Sequence, residues 1–205
     1  MASMTFEGSS LYVGVYVTDV ELLKNILRFR DLLDGKKVKN CVFEPILSTH
    51  ISLARFSLSK TILDDSSFTK IKSLISRTVN SFSFFDRCCT PTRYSFGKES
   101  DSVKIYFDRS SRRLIENIRY TVIQHAEEEG IFFNDDRLYI PHLTIIRSMF
   151  GCNRDDVKDV ISLMNSTTIP TFRISNISML APNRSSNEED RTIIRKVKEL
   201  SVSFN

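Results

Sequence analysis

The stretch "THISLARF", Thr49 to Phe56, sets a histidine and a serine two residues apart inside an apolar run. A β-strand sends successive side chains to opposite faces, so His50 and Ser52 share one face while Ile51 and Leu53 take the other. A second stretch, "PHLTIIRS" from Pro141 to Ser148, repeats the arrangement, with His142 and Thr144 on one face and Leu143 and Ile145 on the other. HISLARF and HLTIIRS match position by position: histidine, aliphatic, hydroxyl, aliphatic, apolar, arginine. Serine and threonine make up about one residue in five of the chain, so the bare H-x-S/T pattern says little. Its weight comes from context: both copies sit in strands, both carry apolar residues on the opposite face, and they fall in corresponding halves of the chain.

Outward from these strands the chain alternates strand and helix. Leu11 to Val17, "LYVGVYV", reads as a strand; Thr18 or Asp19 caps a helix with Val20, Leu23, Ile26, Leu27 and Arg30 or Leu33 at helical spacing, and Gly35 ends it. Cys41 to Phe43 reads as extended. A second helix is predicted over Ser66 to Ser81, with Phe68, Ile71, Leu74, Ile75 and Val79 on one face. "FSFFDRC", "TRYSF" and "SVKIYFD" read as extended segments, Ser110 to Glu129 as a helix stopped by Gly130, Arg154 to Met164 as a short helix, and Phe172 to Leu180 with Val197 to Phe204 as a closing strand pair. The pattern predicts an α+β or α/β arrangement with helices outside sheet, residues 11–205 forming one domain behind a flexible N-terminus at 1–10.

At 205 residues, the chain can bury a sizeable core. A formal charge of +4 permits an anionic ligand without the dense basic patch of a bulk nucleic-acid binder. The N-terminal residues lack a secretory signal pattern, and no apolar run is long enough to span a bilayer. No membrane association is expected, and the cytoplasm, with the nucleus as an alternative, is the expected location. Cys41, Cys88, Cys89 and Cys152 have no C-x-x-C spacing and are read as reduced thiols. Asn165, Asn176 and Asn183 fit the glycosylation pattern, which means little without a secretion route.

Two histidines can divide proton acceptance and donation between them, and a hydroxyl beside each can donate to a non-bridging phosphate oxygen. The four groups together suit a phosphodiester, with one histidine deprotonating a ribose hydroxyl or water and the other protonating the leaving oxygen. No Cys/His ligand cluster stands out in the sequence, so no metal and no cofactor are expected.

With these residues in place, the chain resembles the 2H phosphoesterase superfamily, and within it the eukaryotic–viral LigT-like branch. That resemblance implies an α+β bilobal fold, two pseudo-symmetric lobes of antiparallel sheet with outer helices around a central groove. It implies His50 and His142 as the acid/base pair, with Ser52 and Thr144 as phosphate-oxygen donors. It also implies a metal-independent phosphodiesterase acting on a nucleotide or oligoribonucleotide, foremost 2',5'-oligoadenylate, whose removal would antagonise RNase L activation. RNA 3'-end processing, 2',3'-cyclic phosphodiesterase activity and a non-catalytic nucleotide- or RNA-binding module are the alternatives. No obligatory protein partner is evident.

Among other side chains, Tyr94, Phe96, Tyr106 and Tyr139 are candidate base-stacking groups, with Tyr94 placed on a rim loop. Simple alternation puts Arg55 and Arg147 opposite the histidines, which favours strand-end ion pairs; Arg147 is nonetheless carried with Tyr94 and Tyr139 as a substrate contact. Arg109, Arg112, Arg113 and Arg119 read as a solvated helix face, Lys36, Lys37 and Lys39 as a basic loop, and His125 as a surface side chain.

Overall fold

In the computed structural model, residues 4–5, 11–56, 62–63, 65–83, 86–97, 101–131, 138–183 and 193–204 are described. Among them are twelve strands: β1 (Met4–Thr5), β2 (Leu11–Tyr16), β3 (Val42–Phe43), β4 (His50–Phe56), β5 (Ile62–Leu63), β6 (Cys88–Cys89), β7 (Pro91–Phe96), β8 (Val103–Phe107), β9 (His142–Ser148), β10 (Phe172–Arg173), β11 (Asn176–Asn183) and β12 (Ile193–Ser203). The helices are α1 (Val20–Gly35), α2 (Asp65–Ser81), α3 (Arg109–Glu128) and α4 (Arg154–Asn165), with a 3-10 turn at Ile46–Ser48. Two four-stranded antiparallel sheets form the frame, ordered β12-β11-β2-β4 and β3-β9-β8-β7; β1–β5 and β10–β6 are two-stranded additions. Of residues 1–10, Met4–Thr5 pair with Ile62–Leu63, and the others lie outside the described residues.

The helices cross between the sheets. The chain leaves β2 of the first sheet into α1, which packs with α4 against the second sheet. It leaves β8 of the second sheet into α3, which packs with α2 and against β4 of the first. Each sheet is therefore roofed by a helix that started in the other, and a single hydrophobic cluster runs through both halves. The α1 N-cap is Asp19, whose carboxylate accepts from Leu22 N at 2.9 Å; α3 is capped likewise by Asp108. Gly130, at φ +70°, lets the chain leave α3 in the left-handed conformation.

Three sequence expectations shift. The buried stripe of α1 is Leu22, Ile26, Phe29 and Leu33: Ile26 and Leu33 are inward as predicted, Leu22 and Phe29 join them, and Val20 and Leu27 are exposed. After Gly35 the left-handed residue is Lys37, not the glycine. "FSFFDRC" is not one strand: Phe82 and Ser83 turn off the end of α2, Phe84 and Phe85 lie outside the described residues, and pairing begins only at Cys88. Cys41 and Cys152 are brought together, Sγ to Sγ 3.2 Å, as free thiols.

Tyr94 is the largest correction. It sits inside β7, 1% exposed, its ring stacked on Phe29 at 4.9 Å and its hydroxyl donating to Asn25 Oδ1 at 2.7 Å. The segment expected as a rim loop is strand, and one extra residue at Thr92 sets its phase: β7 pairs with β8 as Pro91↔Phe107 and then Arg93↔Tyr106, which turns Tyr94 to the core side beside Ile105. The Tyr94 main chain is held from the outside by Asn165, the last residue of α4, whose amide accepts from Tyr94 N at 2.7 Å and donates to Tyr94 O at 2.9 Å. Asn176 does the same for Tyr16, at 3.1 and 2.9 Å, so two of the three asparagines that fit a glycosylation pattern have their amides engaged with strand backbone. Tyr94→Phe is expected to lower stability by about 1 kcal/mol, the worth of one neutral hydrogen bond, read as a small downward shift of the thermal midpoint.

Candidate active site

The two histidine strands are built alike down to an irregularity. In β4, Gly14 pairs with Ser52 and Val13 with Ala54, so Leu53 is one residue too many. In β9, Lys104 pairs with Thr144 and Val103 with Ile146, so Ile145 is the extra residue. A bulge reverses alternation beyond it. Leu53 and Ala54 are both buried, as are Ile145 and Ile146, and the following arginine swings onto the histidine face. Arg55 accordingly lies beside Tyr12, its cross-strand partner, with the guanidinium 5.9 Å from the ring centre. These bulges bring both arginines to the histidine face, where simple alternation would have set them opposite it.

Each histidine is fixed by the same contact. His50 Nδ1 lies 2.7 Å from the Ser48 carbonyl and His142 Nδ1 lies 2.7 Å from the Ile140 carbonyl, in both cases two residues back along the chain. A carbonyl oxygen only accepts, so Nδ1 carries the hydrogen in both rings and Nε2 is the position left for proton exchange. Among the described residues, neither the Ser52 nor the Thr144 hydroxyl is used in a hydrogen bond. β4 packs against β9, and the two imidazoles are close enough that the charge of His50 opposes protonation of His142.

The electrostatics disfavour cations at both positions. Burial pushes the His142 imidazole down to about 4; the Ile140 carbonyl opposes this, and Lys104 and His50 add to it. His50, 8% exposed, is lowered chiefly by burial, with the Ser48 carbonyl and Glu44 opposing and Arg147 adding. Lys104, on the face of β8 beside Thr144, is itself lowered by burial. The pair thus stands neutral at pH 7 in the ligand-free protein, and a bound anion is what would restore a proton to it.

Arg147 reaches this face but commits its guanidinium to Glu44, with Nε at 2.5 Å and the second nitrogen at 2.9 Å from the two carboxylate oxygens. Glu44 is 5% exposed. Arg147 therefore neutralises a buried carboxylate near His50, in the ion pair expected of it. Tyr139 donates its hydroxyl to the Ser52 carbonyl at 2.8 Å, with the Arg119 guanidinium 4.6 Å above its ring, and so ties the approach to β9 onto β4. Arg119 thereby leaves the solvated face expected for it. Tyr106 pairs with His142 across the strands, rings 6.3 Å apart, while Phe96 has the Arg154 guanidinium 4.9 Å from its ring centre. Tyr94 is core. Lys36 is paired to Asp159 at 2.9 Å, and His125 is half-buried with Nδ1 3.1 Å from the Thr78 hydroxyl.

Sequence reasoning missed Glu44, Lys104 and Tyr16. Lys104 was legible: Val103, Ile105 and Phe107 alternate into the core, leaving Lys104 and Tyr106 on the site face. Tyr16 shares a face with His50 by the same logic in β2. Nothing in "CVFEP" distinguishes Glu44 from a surface carboxylate.

No family model and no curated protein sequence matches the chain. Solved structures do. E. coli LigT complexed with 3'-AMP is 16% identical with a TM-score of 0.61, the match covering 96% of this chain and 98% of that one. TT0787 of Thermus thermophilus is 10% identical, with a TM-score of 0.60 and coverage of 95% and 97%. The MHV ns2 PDE domain is 8% identical, with a TM-score of 0.53 and coverage of 68% and 84%. At such identities the likeness is one of fold, and the fold is that of LigT-like 2H phosphoesterases.

Arg147→Met would strand a buried carboxylate and is expected to cost about 2–3 kcal/mol in denaturant unfolding, reduced from the full value for a buried pair because Arg147 is partly exposed. Adding Glu44→Gln should recover more than half of the loss. A double variant as unstable as the single would show that the ion pair is not what Arg147 contributes.

Proposed function

We propose that the protein is a metal-independent phosphodiesterase of the two-histidine type, acting on small oligoribonucleotides and foremost on 2',5'-linked oligoadenylate. The observation that carries the reading is the matched pair of Nδ1–H···O=C contacts, which leaves two imidazole Nε2 atoms available on facing strands, each beside an uncommitted hydroxyl. One Nε2 accepts the proton of the attacking hydroxyl, from ribose or water, as its oxygen bonds to phosphorus. The other, protonated, donates to the leaving oxygen as the old phosphorus–oxygen bond breaks. Ser52 and Thr144 hydroxyls donate to the non-bridging oxygens, and Lys104 offsets their charge. The neighbours support this reading, since their names include LigT, a phosphoesterase and a PDE domain, and one LigT structure holds 3'-AMP. Cleaving the 2',5'-linked messenger would antagonise RNase L activation. No helix among the described residues is long and apolar enough to cross a membrane, and a cytoplasmic site of action fits such a substrate.

The test is turnover, with chelator present, of 2',5'-linked triadenylate, its 3',5' isomer and an RNA ending in a 2',3'-cyclic phosphate. Cleavage of the 2',5' trimer is expected, with losses on the order of 10²–10⁴-fold in His50→Ala and in His142→Ala. Preference for the 3',5' isomer or the cyclic end would move the protein to RNA processing. Binding without turnover of any of the three would leave a binding module.

The depressed histidines set the pH dependence. The acid histidine must be protonated and the base histidine neutral, and both lose their protons below the ordinary imidazole value in the free protein. As pH rises through the acid's lowered pKa its proton is lost; as pH falls through the base's, the base is blocked. The kcat/KM profile is therefore expected to peak on the acid side of about 6.5, and the kcat profile to peak at higher pH, because the bound phosphodiester favours the imidazolium. A kcat/KM optimum above pH 7 would contradict this account of the site.

A further inference from the structure

The site face does not end at the histidines. Cross-strand partners put His142, Tyr106 and Arg93 in one row across the second sheet, through the pairs Tyr106↔His142 and Arg93↔Tyr106. The neighbouring row is Thr144, Lys104 and Ser95. Cross-strand partners share a face, so the surface carrying the reacting groups continues unbroken over β8 to β7. At the far end of the rows lies a cavity of about 450 Å³, whose walls include Thr92, Arg93, Ser95, Tyr106, Asp108 and Arg112. That volume falls in the range that holds a small ligand.

We infer that this cavity is a subsite for the nucleotide adjoining the scissile phosphodiester, with Arg93 and Arg112 holding that nucleotide's further phosphate. The inference rests on the phosphodiesterase reading and deepens it by naming a substrate class: oligoribonucleotides carrying at least one phosphate beyond the one cleaved. Two guanidiniums offer planar forks matched to phosphate oxygens. The opposing charge on the wall, Asp108, is engaged by its own helix: its carboxylate accepts from Ser111 N at 2.7 Å and from the Ser110 hydroxyl at 2.9 Å. Among the described residues, neither Arg93 nor Arg112 is in an ion pair. Two strand spacings, about 10 Å, separate the backbone of His142 from that of Arg93. Tyr106, midway, offers its ring to the intervening base. Thr92 is the residue whose insertion in β7 gives Arg93 this orientation, since the same bulge that turns Tyr94 inward turns Arg93 to the site face.

The test has a catalytic arm and a binding arm. In the first, kcat/KM is compared for a dinucleoside monophosphate, the same compound with one added terminal phosphate, and the trinucleotide. The proteins are wild type, Arg93→Lys, and the double variant Arg93→Gln/Arg112→Gln. Wild type should favour the extra phosphate by roughly tenfold or more, the worth of one hydrogen bond to a charged group. The preference should shrink with added salt, survive in part in Arg93→Lys, and fall within about twofold in the double variant. In the second arm, calorimetry compares 3'-AMP with adenosine 3',5'-bisphosphate on the same proteins, which needs no turnover. Tighter binding of the bisphosphate that depends on the two arginines, without cleavage of any substrate, would uphold the subsite and sink the phosphodiesterase reading. Cleavage with no preference for the added phosphate, or a preference that persists in the double variant, would overturn the subsite and leave that reading standing.

Discussion

The site depends on one constraint imposed twice: a histidine at the head of a strand, its ring held by the carbonyl two residues behind it. In each strand that contact chooses the tautomer, limits rotation of the ring and removes one nitrogen from chemistry. The acceptor is main chain, so no second side chain is needed to orient the imidazole, and only the extended path leading into the strand must be preserved. Each of these paths is pinned. Thr49 caps the turn before β4 through the Ile46 carbonyl, and Pro141 stiffens the approach to β9 beside Tyr139.

Around that constraint the two halves are tied so that neither sheet stands alone. A helix started by one sheet covers the other, and the Phe29–Tyr94 stack and the Tyr139–Ser52 bond each join elements from opposite halves. The relative placement of two imidazoles on separate sheets is thereby a property of the whole core. Arg147 and Glu44 act within this frame: a carboxylate buried near His50 would favour the imidazolium, and the guanidinium opposes that bias.

What could be read from the sequence follows the limits of periodicity. The paired H-x-S/T strands were legible because period-two alternation holds from His50 to Ser52 and from His142 to Thr144. It fails one residue later, and the bulges leave only a faint trace: two consecutive apolar residues, Leu53-Ala54 and Ile145-Ile146, ahead of an arginine. Tyr94 misled for a different reason: its segment reads as a rim loop but is strand β7, and the extra residue at Thr92 then turns the ring inward. In α1 the apolar residues Val20, Leu23 and Leu27 compete with Leu22, Phe29 and Leu33 for the inward stripe, and only packing against Tyr94 and α4 decides between them. Glu44 and Arg147 lie 103 residues apart, a pairing that local patterns cannot show. The two-lobed plan was legible in the repeat of strand, helix and H-x-S/T strand in each half of the chain, and the structure carries it in two antiparallel sheets.

The Asn165 amide has a consequence beyond the fold of one chain. β7 is the outer strand of its sheet, and an outer strand offers unpaired N–H and C=O groups that can template the addition of a foreign strand. Midway along that edge, the Tyr94 donor and acceptor are both occupied by a side chain delivered from the end of a helix. An incoming strand would have to displace α4 from its last turn to continue the ladder, so the asparagine works as a gatekeeper against edge-to-edge association.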